Sequence, residues 1–484
     1  MVERTQLASG LEISRILTGL WQIADMEREG NFMHPEEGAL EMRRYVDAGL
    51  TTFDMADHYG TSELIAGQYE ADWPGSGELL TKWVPKPGIV AREKTRAAVE
   101  LALERMDREQ IDLLQFHAWS YSDPGWLDCM FCLQELKEEG LIQHLGLTNT
   151  DAAHVAMLLN SGVDVVSNQV CYSLLDQRAS SAMTDLCLQY DIKLLAFGTL
   201  AGGFLTEQWL GVPEPDCQSL QTWSQMKYKR FIDAAGGWGK FQALLAVLER
   251  VARRFEVSVA NVASRVILDA PAVAGVIIGA RLGKREHIED NLRLFDFELD
   301  GPALEEIEHA RAELRQIPGG CGDEYRKPPF LTAAGDLSDH FDESPSPYPT
   351  SVIQEGRTIA LSGTKWEDAA GFARAVRQGN RILVSGTTAT HKETLIGGTD
   401  PASQMHFCMD KIEGAIQSLG GQMEDVVRTR IYIADPEISE PVTRAHGQRF
   451  RHIRPTNTLV IAGLIGEGYL VEMEAEAVVL ETPA

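Results

Sequence analysis

Short apolar runs alternate with longer amphipathic stretches from the N-terminus to about residue 318. The runs are ISRILTGL, TTFDMAD, ELLTKWV, IDLLQFHA, IQHLGLTN, VDVVSNQV, IKLLAFGTL and AGVIIGA. Such runs are typical of buried parallel strands, whereas the stretches between them, such as FCLQELKEEG, have a helical period and a glycine stop. The pattern predicts an α/β fold in which residues 1–318 form a TIM barrel of eight strands with helices between them. The segment TQLASGLEIS predicts a hairpin in front of the first barrel strand.

The pattern changes twice beyond the predicted barrel. Residues 319–350 are rich in Gly, Pro, Ser and acidic side chains, which predicts a linker. Residues 351–484 then combine the strand-like runs RTIALSG, ARAVRQGNRILVSGTT, VVRTRIYIA, TLVIAG and LVEMEAEAVV with the helical stretch MHFCMDKIEGAIQSLGG and a second helix near residues 442–450. This order predicts a small α+β domain with a mostly antiparallel sheet.

Composition narrows the choice of partners. The chain has 484 residues, 44 Lys and Arg against 71 Asp and Glu, and a formal net charge of −27, which disfavours nucleic acid or an anionic membrane as partner. Seven cysteines are too few for a disulfide scaffold, and no apolar stretch has the length of a membrane span. We therefore expect a cytoplasmic protein. Cys129 and Cys132 lie on the apolar stripe of a predicted helix, so we interpret them as core residues, and no metal site is predicted.

Four polar side chains follow the second, third and fourth barrel strands. In a TIM barrel the carboxyl ends of the strands meet at one rim, where chemistry takes place. Tyr59 follows the second strand, but a phenol with a pKa of about 10 is a poor acid at neutral pH unless a cation stabilises its phenolate. Lys82 can supply that cation, Asp54 can keep Lys82 charged, and His117 can donate a hydrogen bond to a carbonyl oxygen.

The motifs around these residues resemble the aldo-keto reductase superfamily. FDMADHYG, LLTKWV, LLQFHAW, HLGLTNT, SNQVCYSLLDQRA and VIIGAR carry the resemblance, in order, over about two thirds of the chain. The resemblance implies that a tyrosine protonates the substrate carbonyl as a nicotinamide hydride arrives. The implied catalytic residues are Asp54, Tyr59, Lys82 and His117, and the residues implied at the nicotinamide are Thr148, Asn149, Gln169, Phe197 and Gly198.

The choice of cofactor and substrate depends on two other segments. GARLGKREHIEDNL after the eighth strand resembles the family segment that holds the adenosine 2′-phosphate, so we expect NADP (NADPH), with His287 standing where many members have an arginine. The candidate adenosine ligands are Gly279, Arg281, Arg285 and Asn291. Residues 200–238 are a possible lid, whose Lys227, Lys229 and Arg230 could contact the cofactor pyrophosphate, an acidic substrate or solvent. The substrate is expected to be a small carbonyl compound that the sequence leaves unidentified.

Residues 355–482 resemble the YjgF/YER057c/UK114 (RidA-like) family, which has a chorismate-mutase-like fold. The resemblance implies a homotrimer with ligand clefts between subunits, and imine or enamine hydrolysis in the well-studied members. The implied cleft residues are Ser385, Gly386, Asn457 and Glu472. Asn457 stands where the deaminases have a carboxylate-binding arginine, which favours a binding or assembly role over deaminase activity.

The sequence therefore supports three hypotheses. The first is an NAD(P)H-dependent reductase of aldehydes or ketones with a fused domain for ligand binding or trimerisation. The second is a redox-sensing regulatory protein that binds nicotinamide nucleotides. The third is an imine or enamine hydrolase acting through the C-terminal domain.

Overall fold

A computed structural model describes residues 2–28, 30–88, 90–216, 219–220, 222–284, 287–327, 331 and 345–480. Eight parallel strands form a closed barrel in the order β10-β3-β4-β5-β6-β7-β8-β9, which confirms the predicted architecture. Each predicted apolar run supplies one strand. The strands are β3 (Ile16–Gly19), β4 (Thr52–Asp54), β5 (Glu78–Trp83), β6 (Ile111–Phe116), β7 (Ile142–Thr148), β8 (Val165–Cys171), β9 (Lys193–Phe197) and β10 (Val273–Gly279).

Helices surround the barrel and bury their apolar faces against its strands. They are α1 (Trp21–Arg28), α2 (Pro35–Asp47), α3 (Ser62–Asp72), α4 (Arg92–Met106), α5 (Gly125–Glu138), α6 (Ala152–Asn160), α7 (Ala182–Tyr190), α8 (Trp223–Ala234), α9 (Trp238–Phe255), α10 (Val259–Leu268), α11 (Ile288–Leu292), α12 (Gly301–Ala312) and α13 (Asp323–Arg326). Cys129 and Cys132 are both buried on α5, as their interpretation as core residues required. Within the described ranges, no helix combines the length and the apolar character needed to cross a membrane.

The barrel interior is closed at its N-terminal end. Strands β1 (Arg4–Ala8) and β2 (Leu11–Ser14) form the predicted antiparallel hairpin. Its buried Leu7 and Ile13 belong to the same apolar cluster as Leu17, Leu113 and Leu195 of the barrel strands. The hairpin therefore covers one end of the barrel and leaves the carboxyl ends of the strands for the site.

The C-terminal domain is a seven-stranded sheet in the order β11-β12-β13-β14-β19-β17-β18. Neighbouring strands are antiparallel except β17 and β18. The strands are β11 (Thr350–Gln354), β12 (Arg357–Ala360), β13 (Ala375–Gln378), β14 (Arg381–Thr388), β17 (Val426–Ile433), β18 (Thr456–Ile461) and β19 (Val471–Val478). The domain also contains the small hairpin β15 (Thr390–His391) and β16 (Thr394–Leu395) and the helices α14 (Lys365–Ala370), α15 (Pro401–Ser418) and α16 (Ser439–Phe450).

Helix α15 joins the two domains because it packs against α6 of the barrel. The approach is close at Gly414, where an added Cβ would lie 2.3 Å from the carbonyl oxygen of Ser122. Ser122 also donates a 2.7 Å hydrogen bond to Gln417 on the same helix. A side chain at Gly414 would therefore meet the barrel backbone, so a larger residue there would push the two domains apart.

Candidate active site

Lys82 and Asp54 form a buried ion pair at the carboxyl ends of adjacent strands. The Lys82 ammonium donates hydrogen bonds to Asp54 Oδ2 at 2.7 Å and to the Met55 carbonyl oxygen at 2.8 Å. Each of the two residues is only 3% exposed. Burial lowers the pKa of Lys82, while the charge of Asp54 acts in the opposite direction. The carboxylate thus favours the charged form of a lysine that burial would otherwise neutralise.

Tyr59 lies beside this ion pair. The Lys82 ammonium is 4.8 Å from the centre of the Tyr59 ring, and Trp21 packs edge-on against the ring at 5.0 Å. Burial, followed by the negative charge of Asp54, raises the pKa of Tyr59 well above its usual value. The phenol therefore keeps its proton at neutral pH and is a weaker acid than a free phenol, which is the opposite of the effect expected from Lys82.

His117 follows β6 at the same rim. Its Nδ1 lies 3.3 Å from the Thr148 carbonyl oxygen, and its ring meets Trp119 edge-on with 4.6 Å between centroids. A carbonyl oxygen can only accept a hydrogen bond, so Nδ1 carries a hydrogen. Nε2 can then donate to a substrate oxygen when the imidazole is protonated.

The residues predicted to bind the nicotinamide lie at the ends of β7, β8 and β9. The Asn149 side-chain oxygen is buried and has no hydrogen-bond partner among the described residues. The amide nitrogen of Gln169 donates to Asp54 Oδ1 at 2.7 Å and so reaches into the catalytic cluster. Thr148 donates to the Gln169 carbonyl oxygen at 3.2 Å, and Phe197 is the last residue of β9. An orphaned amide oxygen at this rim fits a ligand with an N–H donor, such as a nicotinamide carboxamide.

Gly198 follows β9 at a position that only glycine fits. Its φ is +75°, and an added Cβ would lie 2.1 Å from the hydroxyl oxygen of Tyr228. Tyr228 belongs to α8, within the segment that the sequence indicated as a possible lid. The missing side chain therefore allows α8 to approach the end of β9.

The predicted adenosine ligands lie at the carboxyl end of β10 and beyond it. Arg281 donates from Nε to the Gln22 side-chain oxygen at 3.1 Å, and Gly279 lies against the Gln22 side chain. Asn291 is on the short helix α11, where its backbone N–H donates to the His287 carbonyl oxygen. Arg285 lies outside the described residues.

The sequence assigned the segment around α13 to a linker, whereas the structure packs it against the barrel mouth. Arg326 donates to the carbonyl oxygens of Asn149 at 2.7 Å and Ala118 at 2.8 Å. Tyr325 accepts a 2.7 Å hydrogen bond from Lys227. The GGCG motif at residues 319–322 is a sequence signal for a tight turn. The structure has such a turn, in which Gly319 and Gly322 both adopt positive φ. The motif does not indicate the hydrogen-bond partners of Tyr325 and Arg326, because these partners are distant in the sequence.

The C-terminal domain brings together three of its four predicted cleft residues. A Cβ at Gly386 would lie 2.1 Å from the Glu472 side-chain oxygen, and Ser385 directly precedes this glycine. Burial raises the pKa of Glu472. Asn457 lies elsewhere on the sheet, because it stands opposite Thr429 on β17 whereas Glu472 stands opposite Tyr432. Within one chain, therefore, Asn457 does not join the other three residues.

The closed barrel of eight parallel strands, with a polar cluster at their carboxyl ends, places the chain in the TIM-barrel class. The aldo/keto reductase family model matches residues 15–312, so the chain belongs to this family, whose members act on carbonyl compounds with nicotinamide cofactors. Residues 363–479 match the family model described as Endoribonuclease L-PSP, which confirms the second resemblance.

Individual relatives divide in the same way between the two domains. An uncharacterised oxidoreductase of Bacillus subtilis is 30% identical over 42% of this chain and 72% of its own length. An uncharacterised protein of Streptomyces coelicolor is 41% identical over 24% of this chain and 87% of its own length. The solved structure of a glycerol dehydrogenase from Gluconobacter oxydans has 21% identity and a TM-score of 0.53 over 64% of this chain and 95% of that one. At that identity the structure supports the barrel fold alone.

Proposed function

We propose that the barrel reduces an aldehyde or ketone to an alcohol, with Tyr59 as the proton donor and NADPH as the cofactor. The observation that carries the proposal is the buried Lys82–Asp54 pair, whose ammonium lies 4.8 Å from the Tyr59 ring. The cofactor, when bound, supplies the hydride that the carbonyl carbon accepts. Tyr59 supplies the proton that the carbonyl oxygen needs, so that one hydride and one proton account for the alcohol.

The side chains around Tyr59 make this proton transfer possible. Once the proton has left, the phenolate is adjacent to the Lys82 ammonium, which stabilises it in a site of low dielectric constant. Asp54 favours the charged form of Lys82 and fixes its position through the 2.7 Å hydrogen bond. When its imidazole is protonated, His117 donates from Nε2 to the substrate oxygen and holds it towards the phenol.

Residues at the same rim of the barrel also support the proposal of a nicotinamide cofactor. The orphaned Asn149 oxygen and the neighbouring Thr148 suit the nicotinamide carboxamide, and Phe197 suits the face of the ring. Arg281 suits a phosphate, because its guanidinium can pair with two phosphate oxygens while Gln22 holds Nε. We therefore propose NADPH in preference to NADH.

Binding and turnover test the proposal directly. We expect nicotinamide fluorescence to change on titration of the protein with NADPH, and NADPH to be oxidised when aldehydes, ketones or dicarbonyls are added. Binding without turnover of any carbonyl would favour a redox-sensing role. Failure of both NADPH and NADH to bind would contradict the proposal.

For the C-terminal domain we propose assembly into a homotrimer. Among the described residues β18 is an edge strand paired with β17. Its Ile461 is 59% exposed, and Ile465 beyond the strand is 96% exposed. Exposed apolar residues on an open edge favour association with another chain. Three copies would also provide the clefts in which Asn457 of one subunit meets Glu472 of another.

Sedimentation equilibrium tests this assembly. We expect three times the chain mass for the wild type and a smaller species for Ile461→Asp, which places a charge at the edge strand. Leu304→Asp on α12 is the matched control, because Leu304 is also exposed but lies on the barrel. A monomeric wild type would contradict the trimer.

A further inference from the structure

Asn149, whose side-chain oxygen has no hydrogen-bond partner among the described residues, has a left-handed backbone conformation. Its φ is +56°, a value that residues other than glycine rarely adopt, although asparagine tolerates it better than most. The Asn149 N–H donates to the Gln169 carbonyl oxygen at 2.8 Å, and the Asn149 carbonyl oxygen accepts a 2.7 Å hydrogen bond from Arg326. An unfavourable conformation persists where surrounding contacts determine it, so the direction of the Asn149 side chain depends on these hydrogen bonds.

Arg326 holds Asn149 to the loop that follows β6. Its Nε donates to the Ala118 carbonyl oxygen at 2.8 Å, so one guanidinium joins the loops after β6 and β7. Gly322 makes this close approach possible, because its φ is +82° and an added Cβ would lie 1.8 Å from the Asn149 carbonyl oxygen. The start of α13 is therefore packed directly on the backbone of the proposed nicotinamide site.

A stack of three side chains leads from Arg326 to the contact between the domains. The guanidinium carbon of Arg326 lies 4.3 Å from the centre of the Tyr121 ring, a distance at which an aromatic face attracts a cation. The imidazole of His154 stacks on the same ring, with 3.5 Å between centroids and 12° between planes. Tyr121 and His154 are both buried, so water screens these contacts little. We call this group the Arg326–Tyr121–His154 stack.

Asp410 of the C-terminal domain holds the far end of the stack. Its Oδ2 lies 3.0 Å from His154 Nε2, and Nδ1 of the same imidazole pairs with Asp151 at 2.7 Å. Because each ring nitrogen has a carboxylate partner, the plane of the imidazole is fixed, and with it the plane of the Tyr121 ring. Arg449 pairs with Asp410 in turn and holds it within the C-terminal domain. That domain is thus connected through the stack to the loop after β7.

We propose that Asp410 is a positioning residue for the nicotinamide site, and that it acts through the stack to keep Asn149 in the conformation that binds the carboxamide. The C-terminal domain is then a structural part of the cofactor site in the barrel. The inference rests on the proposed cofactor site and goes beyond it, because it gives the second domain a role there. If only a fraction of the protein has Asn149 in the binding conformation, the apparent affinity falls by that fraction.

Fluorescence titration of the whole 484-residue chain with NADPH and NADH tests the role of Asp410. We expect Asp410→Asn to raise both dissociation constants by about fivefold and by the same factor, because the carboxamide is common to the two nucleotides. Asp128→Asn is the matched control, because Asp128 pairs across the domain contact with His391 and Lys392, outside the stack. This control variant should bind both nucleotides as the wild type does.

A double-mutant cycle with Asn149→Ala separates positioning from general destabilisation. Asn149→Ala removes the group on which Asp410 is proposed to act. In that background, Asp410→Asn should therefore change the affinity for either nucleotide by less than about twofold. A loss of stability that affects the site by another route would instead weaken binding by the same factor with and without Asn149.

Two variants of Tyr121 test the stack without changing a charge at the domain contact. Tyr121→Leu removes the ring that contacts Arg326 and His154, so it should weaken both nucleotides as Asp410→Asn does. Tyr121→Phe keeps the ring and should retain the affinity of the wild type. The comparison of these two variants decides the matter if Asp410→Asn does not fold.

Several results would overturn the role of Asp410 while leaving the proposed cofactor site intact. They are wild-type affinity in Asp410→Asn, an equal loss in Asp128→Asn, losses that add in the double variant, and equal affinities of Tyr121→Leu and Tyr121→Phe, each beside weaker binding in Asn149→Ala. Unaltered affinity in Asn149→Ala would contradict the cofactor site itself and the inference with it.

Discussion

His154 of the barrel and Asp410 of the C-terminal domain form an ion pair of 3.0 Å, with side chains 4% and 1% exposed. His154 also pairs with Asp151 at 2.7 Å, two residues beyond Asn149 in the loop that follows β7. Asp410 pairs in turn with Arg449 of α16. The domain contact therefore carries a buried chain of charges that ends beside the proposed nicotinamide site.

The histidine makes the domain contact sensitive to pH. Burial opposes its charged form, yet Asp151 and Asp410 together raise the pKa of His154 to about 9, from about 6.5 in the unfolded chain. Because the folded-state pKa is the higher one, the stabilisation is complete below about pH 6.5 and is lost as the pH rises through about 9. We expect the thermal unfolding midpoint to fall between pH 7 and pH 10.

His154→Gln shows how much of that fall belongs to this contact. Loss of a partner from a buried ion pair costs about 3–5 kcal/mol, so the variant should unfold at a lower temperature at pH 7 and depend less on pH than the wild type. His309→Gln is the control, because His309 is exposed on α12. An equal pH dependence in wild type and His154→Gln would contradict the assignment.

Asp54→Asn should change the pH profile of catalysis. The Asp54 charge raises the pKa of Lys82 against the effect of burial, so its removal lowers that pKa further. Lys82 then loses its charge at a lower pH, and the alkaline limb of log kcat should move in the same direction, with a fall in kcat of about 100-fold. Asp112→Asn is the control, because Asp112 lies near the N-terminal end of β6 and the site lies at the carboxyl ends of the strands. This variant should leave the alkaline limb in place. An unmoved limb in Asp54→Asn would show that Lys82 does not control the proton donor.

Asn149→Ala tests the proposed nicotinamide site. The carboxamide is common to NADPH and NADH, so loss of the buried Asn149 oxygen should weaken both nucleotides, by about tenfold for one hydrogen bond. Fluorescence titration measures both dissociation constants. Asn160→Ala, on α6 and bonded to Ser403, should leave them unchanged. Unaltered affinity in Asn149→Ala would place the carboxamide elsewhere.

Arg281→Met tests the choice between the two nucleotides. Only NADPH carries the 2′-phosphate, and a charge-assisted hydrogen bond contributes about 1.5–3 kcal/mol, so the variant should lose about tenfold or more in NADPH affinity and little in NADH affinity. Arg293→Met, where Arg293 donates to the Glu256 carbonyl oxygen, is the control. Equal losses for both nucleotides would assign Arg281 to a part of the cofactor that they share.

Much of the barrel could be predicted because each strand is indicated by residues that are neighbours in the sequence. Each buried strand is one apolar run, and parallel strands bring their carboxyl ends to one rim. Asp54 and Lys82 could be paired from sequence for that reason, and the structure confirms their contact. The interaction of Gln169 with Asp54 was not predicted, because strand order does not specify which amide turns towards a carboxylate.

Contacts between distant segments could not be predicted. His154 and Asp410 are 256 positions apart, and nothing in either helix indicates that the other packs on it. Tyr325 lies in a segment whose composition predicts a linker, yet its position depends on Lys227 and on Arg178 through Glu324. Polar, glycine-rich composition indicates a turn and does not indicate whether that turn is packed against the rest of the fold.

The rate of NADPH oxidation by the wild type and Tyr59→Phe, measured with phenylglyoxal in a single turnover, tests the central claim most directly. The phenol oxygen is the only heavy atom removed, and NADPH binding measured in the same samples verifies that the site remains intact. The account predicts equal NADPH affinity and a fall in rate of about 100-fold or more in the variant. Unchanged oxidation by Tyr59→Phe would show that another group donates the proton.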